Sequence, residues 1–367
     1  SITWGMSASG VATNTPRANA LTDARNNGSS ATWFNLLHKY LGRQYYDDAA
    51  AAEAAWPGSP SGVAIFEYNK SVDEHPAVAP FTYSNTNVVS PGAWSQVTNA
   101  SAKLGTYLMA SVVSGSDNLR LKFPPFTGYE FDLVFAAQSN GAKYDLIVDG
   151  VTLGRHSTQT GDTGLPVSFG NVRTHTLGGF KRNATIELYV VPGDAARLNL
   201  RLEAVTMRRR LRITNQGIIG TASGHYFTSG MAAACLQEGD MFAFVQLGTN
   251  DRGAAVNGGL PQGATTLKYN MGRLCDLWEA AGVRPIIMCA NAVLDDGAPD
   301  KKFSMATVRN TLRKFAAERQ YDFIDNFSPT QSLIAAGDTS FLADDLHPST
   351  AGHAIEFGTT SDRIEKA

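Results

Sequence analysis

Met241-Phe-Ala-Phe-Val-Gln-Leu247 is a strongly apolar run, and it predicts a buried strand. An amphipathic helix is predicted after it over Leu267–Ala281, and a second apolar strand over Arg284–Ala290. Strands that alternate with helices in this way indicate a parallel sheet covered by helices on both faces. This stretch therefore places the chain in the α/β class.

The same alternation extends from this stretch toward both ends of the chain. Further strands are predicted at Leu211–Thr214 and Tyr321–Ile324, and further helices at Met305–Arg319 and after His347. Near the start of the chain a short apolar strand precedes Ser30–Gly42, where apolar residues recur at three- and four-residue spacing. That spacing predicts an amphipathic helix that stops at its terminal glycine.

The middle of the chain has a different pattern. Short runs alternate apolar and polar residues, as in Phe131–Phe135, Lys143–Val148 and Ala184–Val191. Period-two strands separated by turn residues predict an antiparallel, jelly-roll-like β-sandwich. We therefore expect an α/β domain formed by residues 1–43 and 206–367, interrupted by a β-sandwich insert at residues 44–205.

Composition excludes several classes of function. The chain has 367 residues, of which 43% are hydrophobic and 17% charged, and its formal net charge is −2. No excess of positive charge would attract nucleic acid or an anionic lipid surface, and no apolar run approaches the roughly 20 residues that cross a bilayer. Nucleic-acid binding and membrane insertion are therefore not expected.

Cysteine and histidine usage predicts neither a disulfide scaffold nor a metal centre. The three cysteines are Cys235, Cys275 and Cys289, and their apolar neighbours indicate small buried side chains. The histidines show no pairing at metal-ligand spacing, so we expect no metal and no cofactor. The chain opens on Ser1 and shows no signal peptide; we expect a fragment or a processed product.

Four polar loops follow predicted strands or precede predicted helices. Parallel sheets bind ligands at the carboxyl ends of their strands. Taken alone, the first two strings are typical of ordinary turns, whereas the third is moderately specific. The second also resembles a phosphate cradle without the lysine of a P-loop. The four loops are Gly5-Met-Ser7-Ala-Ser-Gly10, Asn215-Gln-Gly-Ile-Ile-Gly220, Gly248-Thr-Asn250-Asp251 and Asp344-Asp-Leu-His347-Pro348.

Each loop also has a chemical interpretation. The first exposes a serine hydroxyl, and the second offers bare backbone N–H groups near a helix start. Asn250 can direct its side-chain amide across the cleft, whereas Asp251 is more simply a turn cap. In the fourth loop the carboxylate of Asp344 can hold one ring nitrogen of His347 and leave the other free as a base.

The order Ser, Gly, Asn, Asp-x-x-His resembles the SGNH (GDSL-type) hydrolase family. The resemblance covers the two outer segments and none of the insert, and it implies a three-layer α/β/α, flavodoxin-like sheet. It also implies Ser7 as nucleophile, His347 as general base and Asp344 as the orienting carboxylate. The implied oxyanion hole comprises the N–H groups of Ser7 and Gly220 and the side chain of Asn250. Met6 stands where the family usually has Asp.

The function that we favour is a serine esterase that removes O-acetyl groups from a polysaccharide. The low charge and an insert with aromatics that can stack on sugars support it, although core packing is the simpler role of those aromatics (Trp94, Tyr107, Phe126 and Tyr129). Two alternatives remain: an acyltransferase that passes the acyl group to a sugar hydroxyl, and a catalytically inactive glycan-binding or adhesion module. We expect an extracellular, secreted or virion-associated protein, trimeric if it belongs to a phage tail fibre or spike.

Overall fold

The computed structural model describes residues 2–6, 32–45, 52–55, 64–85, 93–112, 118–192, 199–215, 221–228, 231–234, 236, 239–253 and 263–365. The strands are β1 (Ile2–Met6), β2 (Ala52–Ala55), β3 (Ala64–Glu74), β4 (Thr82–Asn85), β5 (Ala93–Thr98), β6 (Thr106–Ser111), β7 (Leu119–Lys122), β8 (Phe126–Ala137), β9 (Lys143–Val148), β10 (Val151–Ser157), β11 (Ser168–Ala184), β12 (Ile186–Val191), β13 (Asn199–Asn215), β14 (Phe242–Gln246), β15 (Arg284–Cys289) and β16 (Asp322–Asp325). The helices are α1 (Trp33–Tyr45), α2 (Thr160–Thr163), α3 (His225–Thr228), α4 (Met231–Ala234), α5 (Ala264–Ala280), α6 (Met305–Arg319), α7 (Phe327–Ala335) and α8 (Thr350–Glu365).

The chain divides into two units, one formed by residues 1–69 and 210–367 and the other by residues 70–209. In the first unit five strands pair in parallel in the order β13-β1-β14-β15-β16. Along the chain these are the second, first, third, fourth and fifth parallel strands, which is the flavodoxin-like order. Ligands bind in such sheets where the strand order reverses, at the carboxyl ends of the strands.

Side chains alternate between the two faces of this sheet. Phe244 and Met288 pack into a core with residues of α1 and α8. Their neighbours Val245 and Ile287 pack into a second core with residues of α5 and α6. Because successive residues of a strand point to opposite faces, both faces are buried, and this explains the apolar run at residues 241–247.

Three of the α/β elements lie close to their predicted bounds, whereas others differ. Helix α6 has the predicted bounds, and β14 and β15 each lie within one residue of theirs. Helix α1, however, continues past Gly42 to Tyr45, so this glycine does not end the helix. The sequence also did not indicate α7, where Pro329 lies in the first turn, a position that needs no N–H donor within the helix.

The predicted domain boundaries differ from the division in the structure. The expected boundary after residue 43 falls inside helix α1, and residues 44–69 belong to the α/β unit. The reason is that β2 and the first part of β3 form an antiparallel pair within that unit, so alternating residues alone do not mark the insert. The second boundary lies after residue 209 rather than 205.

The second unit is rich in antiparallel β-structure, as predicted. One sheet has the order β10-β9-β12-β7-β4, and in the other β8 pairs with β11 and β13, which also pairs with β6. Side chains from both sheets share one hydrophobic core. Among the described ranges, no helix is both long and apolar enough to cross a membrane.

Candidate active site

Gly248 lets the chain leave strand β14 between two helices. Its φ is +115°, a conformation that side chains with a Cβ rarely adopt. A Cβ there would lie 2.7 Å from Cγ1 of Val308 on α6 and 3.1 Å from Cδ2 of Leu267 on α5. The glycine of the Gly-Thr-Asn-Asp string is therefore required by packing, and it directs the chain into the turn at Asn250–Arg252.

Asn250 and Asp251 connect this turn to the segment that follows Gly220. Nδ2 of Asn250 donates to the carbonyl oxygen of Thr221 at 3.1 Å. The carboxylate of Asp251 is fully buried and accepts from the backbone N–H of Ser223 at 3.0 Å and from its hydroxyl at 2.5 Å. Burial raises the pKa of Asp251, and the bonds from Ser223 oppose that rise. Asp251 thus links two loops, which is more than the turn cap that we predicted.

Arg252, which sequence reasoning missed, connects the same turn to the segment after β15. Its side chain is buried, and its guanidinium donates to Asp295 at 2.8 Å and to Asp296 at 2.5 Å. Asn291 and the Asp295-Asp296-Gly297 string follow directly after a predicted strand. A polar segment directly after a predicted strand is the signal that could have identified it, because it also marks the loops of Ser7, Gly220 and Asn250.

The loop that carries His347 is held by its own backbone and by the segment after β15. The N–H of Ser349 donates to the carbonyl of Phe341 at 2.8 Å, and the N–H of Ala343 to the carbonyl of His347 at 2.8 Å. From the segment after β15, the N–H of Leu294 donates to the carbonyl of Asp345 at 2.9 Å. The loop is therefore fixed near the carboxyl end of a central strand.

Asp344 contacts His347 through both of its carboxylate oxygens. Oδ2 lies 2.8 Å from Nδ1 of the imidazole, and Oδ1 accepts from the backbone N–H groups of His347 at 2.6 Å and Leu346 at 2.8 Å. Partial burial acts to raise the pKa of Asp344, but these hydrogen bonds outweigh it and the pKa is lowered. The carboxylate is thus ionised at neutral pH, and it assigns the proton to Nδ1. Nε2 has no hydrogen-bond partner among the described residues and can act as a base.

The strands that precede Ser7 and Gly220 end at the same edge of the sheet. Met6, the last residue of β1, pairs with Gln246 of β14, and Trp4 pairs with Asn215, the last residue of β13. Ser7 and Gly220 themselves lie outside the described residues. Asn250, Asp344 and His347 are described, and their loops all contact the segment after β15. Within the described ranges, no three His, Cys, Asp or Glu side chains form a group that could hold a metal ion.

Residues 187–355 match the GDSL-like Lipase/Acylhydrolase family. The matched range includes Asn250, Asp344 and His347. This part of the chain is similar to GDSL-like hydrolases. We use the term GDSL-like domain for the α/β unit, residues 1–69 and 210–367, which holds most of the matched range. This match supports an ester-hydrolysing activity for the GDSL-like domain. No curated protein matches the sequence.

Several solved structures are similar to the chain. Protein YXIM of Bacillus subtilis is 15% identical, with 74% of this chain and 88% of that chain covered and a TM-score of 0.34. A lipolytic protein of the G-D-S-L family from Veillonella parvula is 18% identical, with 42% and 81% covered and a TM-score of 0.35. A catalytic mutant of the acetylxylan esterase Axe2 from Geobacillus stearothermophilus is 18% identical, with 42% and 72% covered and a TM-score of 0.35.

The aromatics proposed to stack on sugars are partly core residues. Tyr107 and Phe126 are only 5% and 6% exposed, so neither presents a ring to a ligand. Trp94 is half-buried and packs against Tyr83, and Tyr129 is half-buried against Phe180. Of the cysteines, Cys275 and Cys289 are buried and free, as predicted, and Cys235 lies outside the described residues.

Proposed function

We propose that the GDSL-like domain is a serine esterase that removes O-acetyl groups from a polysaccharide, with Ser7, His347 and Asp344 as its catalytic residues. The observation that carries the proposal is the contact between Asp344 and His347. A carboxylate on Nδ1 keeps the imidazole in the tautomer whose Nε2 accepts a proton. The aligned carboxyl ends of β1, β13 and β14 support a common site for Ser7, Gly220 and Asn250.

In the first half of the reaction, Nε2 of His347 takes the proton of the Ser7 hydroxyl as Oγ attacks the acetyl carbonyl carbon. The carbonyl oxygen becomes an oxyanion, which the N–H groups of Ser7 and Gly220 and the amide of Asn250 would stabilise. The C–O bond to the sugar then breaks, and Nε2–H returns the proton to the leaving sugar oxygen. The product is an acetyl ester on Ser7 and a free sugar hydroxyl.

In the second half, water replaces the sugar. Nε2 of His347 accepts a proton from the water as its oxygen attacks the acetyl carbon of the acyl-enzyme. The bond to Oγ of Ser7 breaks, Nε2–H returns the proton to Oγ, and acetate leaves. Asp344 stays ionised throughout and stabilises the imidazolium that forms in each half.

The acetylated polysaccharide is proposed from the character of the chain. Only 17% of the residues are charged and the formal net charge is −2, and this low charge is compatible with a neutral carbohydrate substrate. An acetyl group is small and does not need the long apolar cleft of a lipid substrate. The β-rich unit adds a second surface on which a polymer can bind.

Acetate release from a panel of acetylated glycans tests the proposal. The full chain should release acetate from at least one glycan, the Ser7→Ala variant should not, and the Ser9→Ala variant in the same loop should stay active. Full activity of Ser7→Ala would show that the nucleophile is wrong. Turnover of long-chain lipid esters but of no glycan would show that the substrate class is wrong. Acetyl transfer to an added sugar in place of acetate release would identify an acyltransferase.

A further inference from the structure

A cavity of about 550 Å³ lies within the β-rich unit, and none of its lining residues belongs to the proposed esterase mechanism. Its lining residues come from β9, β10 and β11 and from the connection between β10 and β11: Lys143, Arg155, His156, Ser157, Asp162, Thr163, Leu165 and Arg173. Strands β10 and β11 each stand at the end of their sheet order. The cavity therefore lies where the edges of the two sheets meet.

Three cations line this cavity, and two of them are already paired. Arg155 forms two hydrogen bonds to the carboxylate of Asp145, at 2.7 and 2.9 Å, and Lys143 lies 3.6 Å from Asp162. Arg173 contacts no carboxylate among the described residues. An unpaired guanidinium in a partly buried cavity favours an incoming oxyanion, because guanidinium and carboxylate or phosphate form charge-assisted hydrogen bonds.

The guanidinium of Arg173 is held in place before any ligand arrives. Nη1 donates to the carbonyl of Ser157 at 2.9 Å and lies 3.4 Å from the hydroxyl of Tyr144. The group also lies over the ring of Phe135, 5.2 Å from its centroid. A side chain fixed in this way loses little conformational entropy on binding, and affinity gains from that preorganisation.

The connection between β10 and β11, which forms part of the cavity wall, is also fixed. Thr158 is fully buried, and both its N–H and its hydroxyl donate to the carbonyl of Ala142 at 3.0 Å. A Cβ on Gly141 would lie 2.4 Å from the carbonyl oxygen of Thr158, so only glycine permits this close approach. The hydroxyl of Ser157 donates to Asp162 at 2.7 Å, which orders the part of the wall that also contacts Arg173.

We propose that this cavity binds a sugar that bears an oxyanion, a carboxylate or a phosphate, with Arg173 as its charge partner. The hydroxyl protons of Ser157 and Thr163 are donated to Asp162 and to the carbonyl of Gln159, so the side-chain oxygens of Asp162, Ser157 and Thr163 can act as acceptors for sugar hydroxyl groups. The volume lies within the roughly 300–1,000 Å³ of small-ligand sites and exceeds the need of a bare ion. The inference does not depend on the proposed esterase activity, because binding needs no turnover.

Calorimetric titration of the full chain with three probes of one scaffold tests the proposal. Glucuronate carries a carboxylate, glucose 6-phosphate carries a phosphate, and glucose carries neither. We expect at least one charged probe to bind ten times more tightly than glucose, and the tighter charged probe identifies the oxyanion. Equal affinity for all three probes, or no binding of either charged probe, would overturn the proposal.

Matched variants locate the binding. Arg173→Gln should weaken binding of the charged probe at least tenfold, whereas Arg182→Gln, an exposed arginine on the same strand, should leave it unchanged. Lys143→Gln should weaken binding about threefold, and it serves as the second variant if Arg173→Gln does not fold. Binding that is equal in the folded cavity variant and in Arg182→Gln would place the ligand elsewhere and overturn the proposal.

Discussion

The side-chain amide of Asn250 donates to the carbonyl oxygen of Thr221, the residue that follows Gly220. Together with the bonds from Ser223 to Asp251, this contact joins the turn after β14 to the loop after β13. An amide group has two N–H donors, and the bond to Thr221 uses one of them. The bond fixes the orientation of the amide group that the proposed mechanism places in the oxyanion hole.

Replacement of Asn250 by alanine should therefore reduce kcat more than it changes KM. Loss of one oxyanion donor costs about 2.7–4 kcal/mol in other enzymes, which corresponds to roughly a hundredfold or more in kcat. Steady-state kinetics on an acetyl ester measure this effect. Asn310→Ala, on the exposed face of α6, is the matched control and should keep full activity. An unchanged kcat in Asn250→Ala would remove Asn250 from the oxyanion hole.

Asp344→Asn should lower kcat by roughly a hundred- to ten-thousandfold, because an amide can hold the imidazole in the wrong tautomer. The neighbouring Asp345 is exposed and uses its backbone carbonyl for the contact with Leu294, so Asp345→Asn should stay active.

The lowered pKa of Asp344 also limits how activity can depend on pH. A loss of wild-type activity between pH 7 and pH 5 cannot arise from protonation of Asp344, since this carboxyl titrates only below its usual value of 3.8.

Two glycines of helix α8 should respond in opposite ways to alanine. A Cβ on Gly352 would lie 2.2 Å from the carbonyl oxygen of Phe341 and 2.8 Å from Cβ of Pro348, whereas nothing lies within 4 Å of one on Gly358. Gly352→Ala should displace the loop that carries His347, lowering kcat/KM at least tenfold and lowering the Tm. Gly358→Ala should raise the free energy of unfolding by about 1 kcal/mol with activity unchanged. Equal behaviour of the two variants would contradict this account of the loop.

Acid should destabilise the β-rich unit through His175. This imidazole is 3% exposed, and burial lowers its pKa to about 3, with smaller contributions from the nearby His156 and Arg173. Its Nε2 lies 2.9 Å from the hydroxyl of Tyr144. Because the unfolded chain binds a proton at this residue below about pH 6.5 and the folded chain does not, stability falls as the pH falls from 6.5 toward 3.

The free energy of unfolding should decrease by about 2 kcal/mol between pH 7 and pH 5 from this residue. Urea unfolding at the two pH values, followed by circular dichroism, measures the change. His175→Gln removes the titrating group, so its unfolding free energy should depend less steeply on pH, whatever its absolute value. An identical pH dependence in the variant would show that His175 does not control acid stability.

Local spacing predicted the parts of the site that lie within one loop. The three-residue separation of Asp344 and His347 is short enough for the carboxylate to meet the imidazole, and the structure has that contact at 2.8 Å. The strands were predictable for a similar reason, since burial on both faces of the sheet requires an apolar residue at nearly every position. Ser7 and Gly220 lie outside the described residues, so their places in the site stay predictions.

Contacts between distant segments were not predictable from one sequence. Arginine is rarely buried unless it is paired, and Arg252 is buried against its partners Asp295 and Asp296. These partners lie 43 and 44 positions away, and nothing near Arg252 in the sequence indicates them. The cavity of the β-rich unit is assembled from three strands and one connection, so its cationic character appears only after the strands pair. In the sequence, Gly352 is only a residue of low helix propensity. Glycine is required there because a Cβ would collide with the carbonyl oxygen of Phe341.

The central claim is that the Ser7 hydroxyl is the nucleophile activated by His347. The most direct measurement is peptide mapping by mass spectrometry after the full chain reacts with a serine-directed phosphonate. The account predicts one adduct, on the peptide that contains Ser7, and a much slower reaction in a His347→Gln variant. An adduct on another serine, or no adduct in a folded chain that hydrolyses esters, would contradict it.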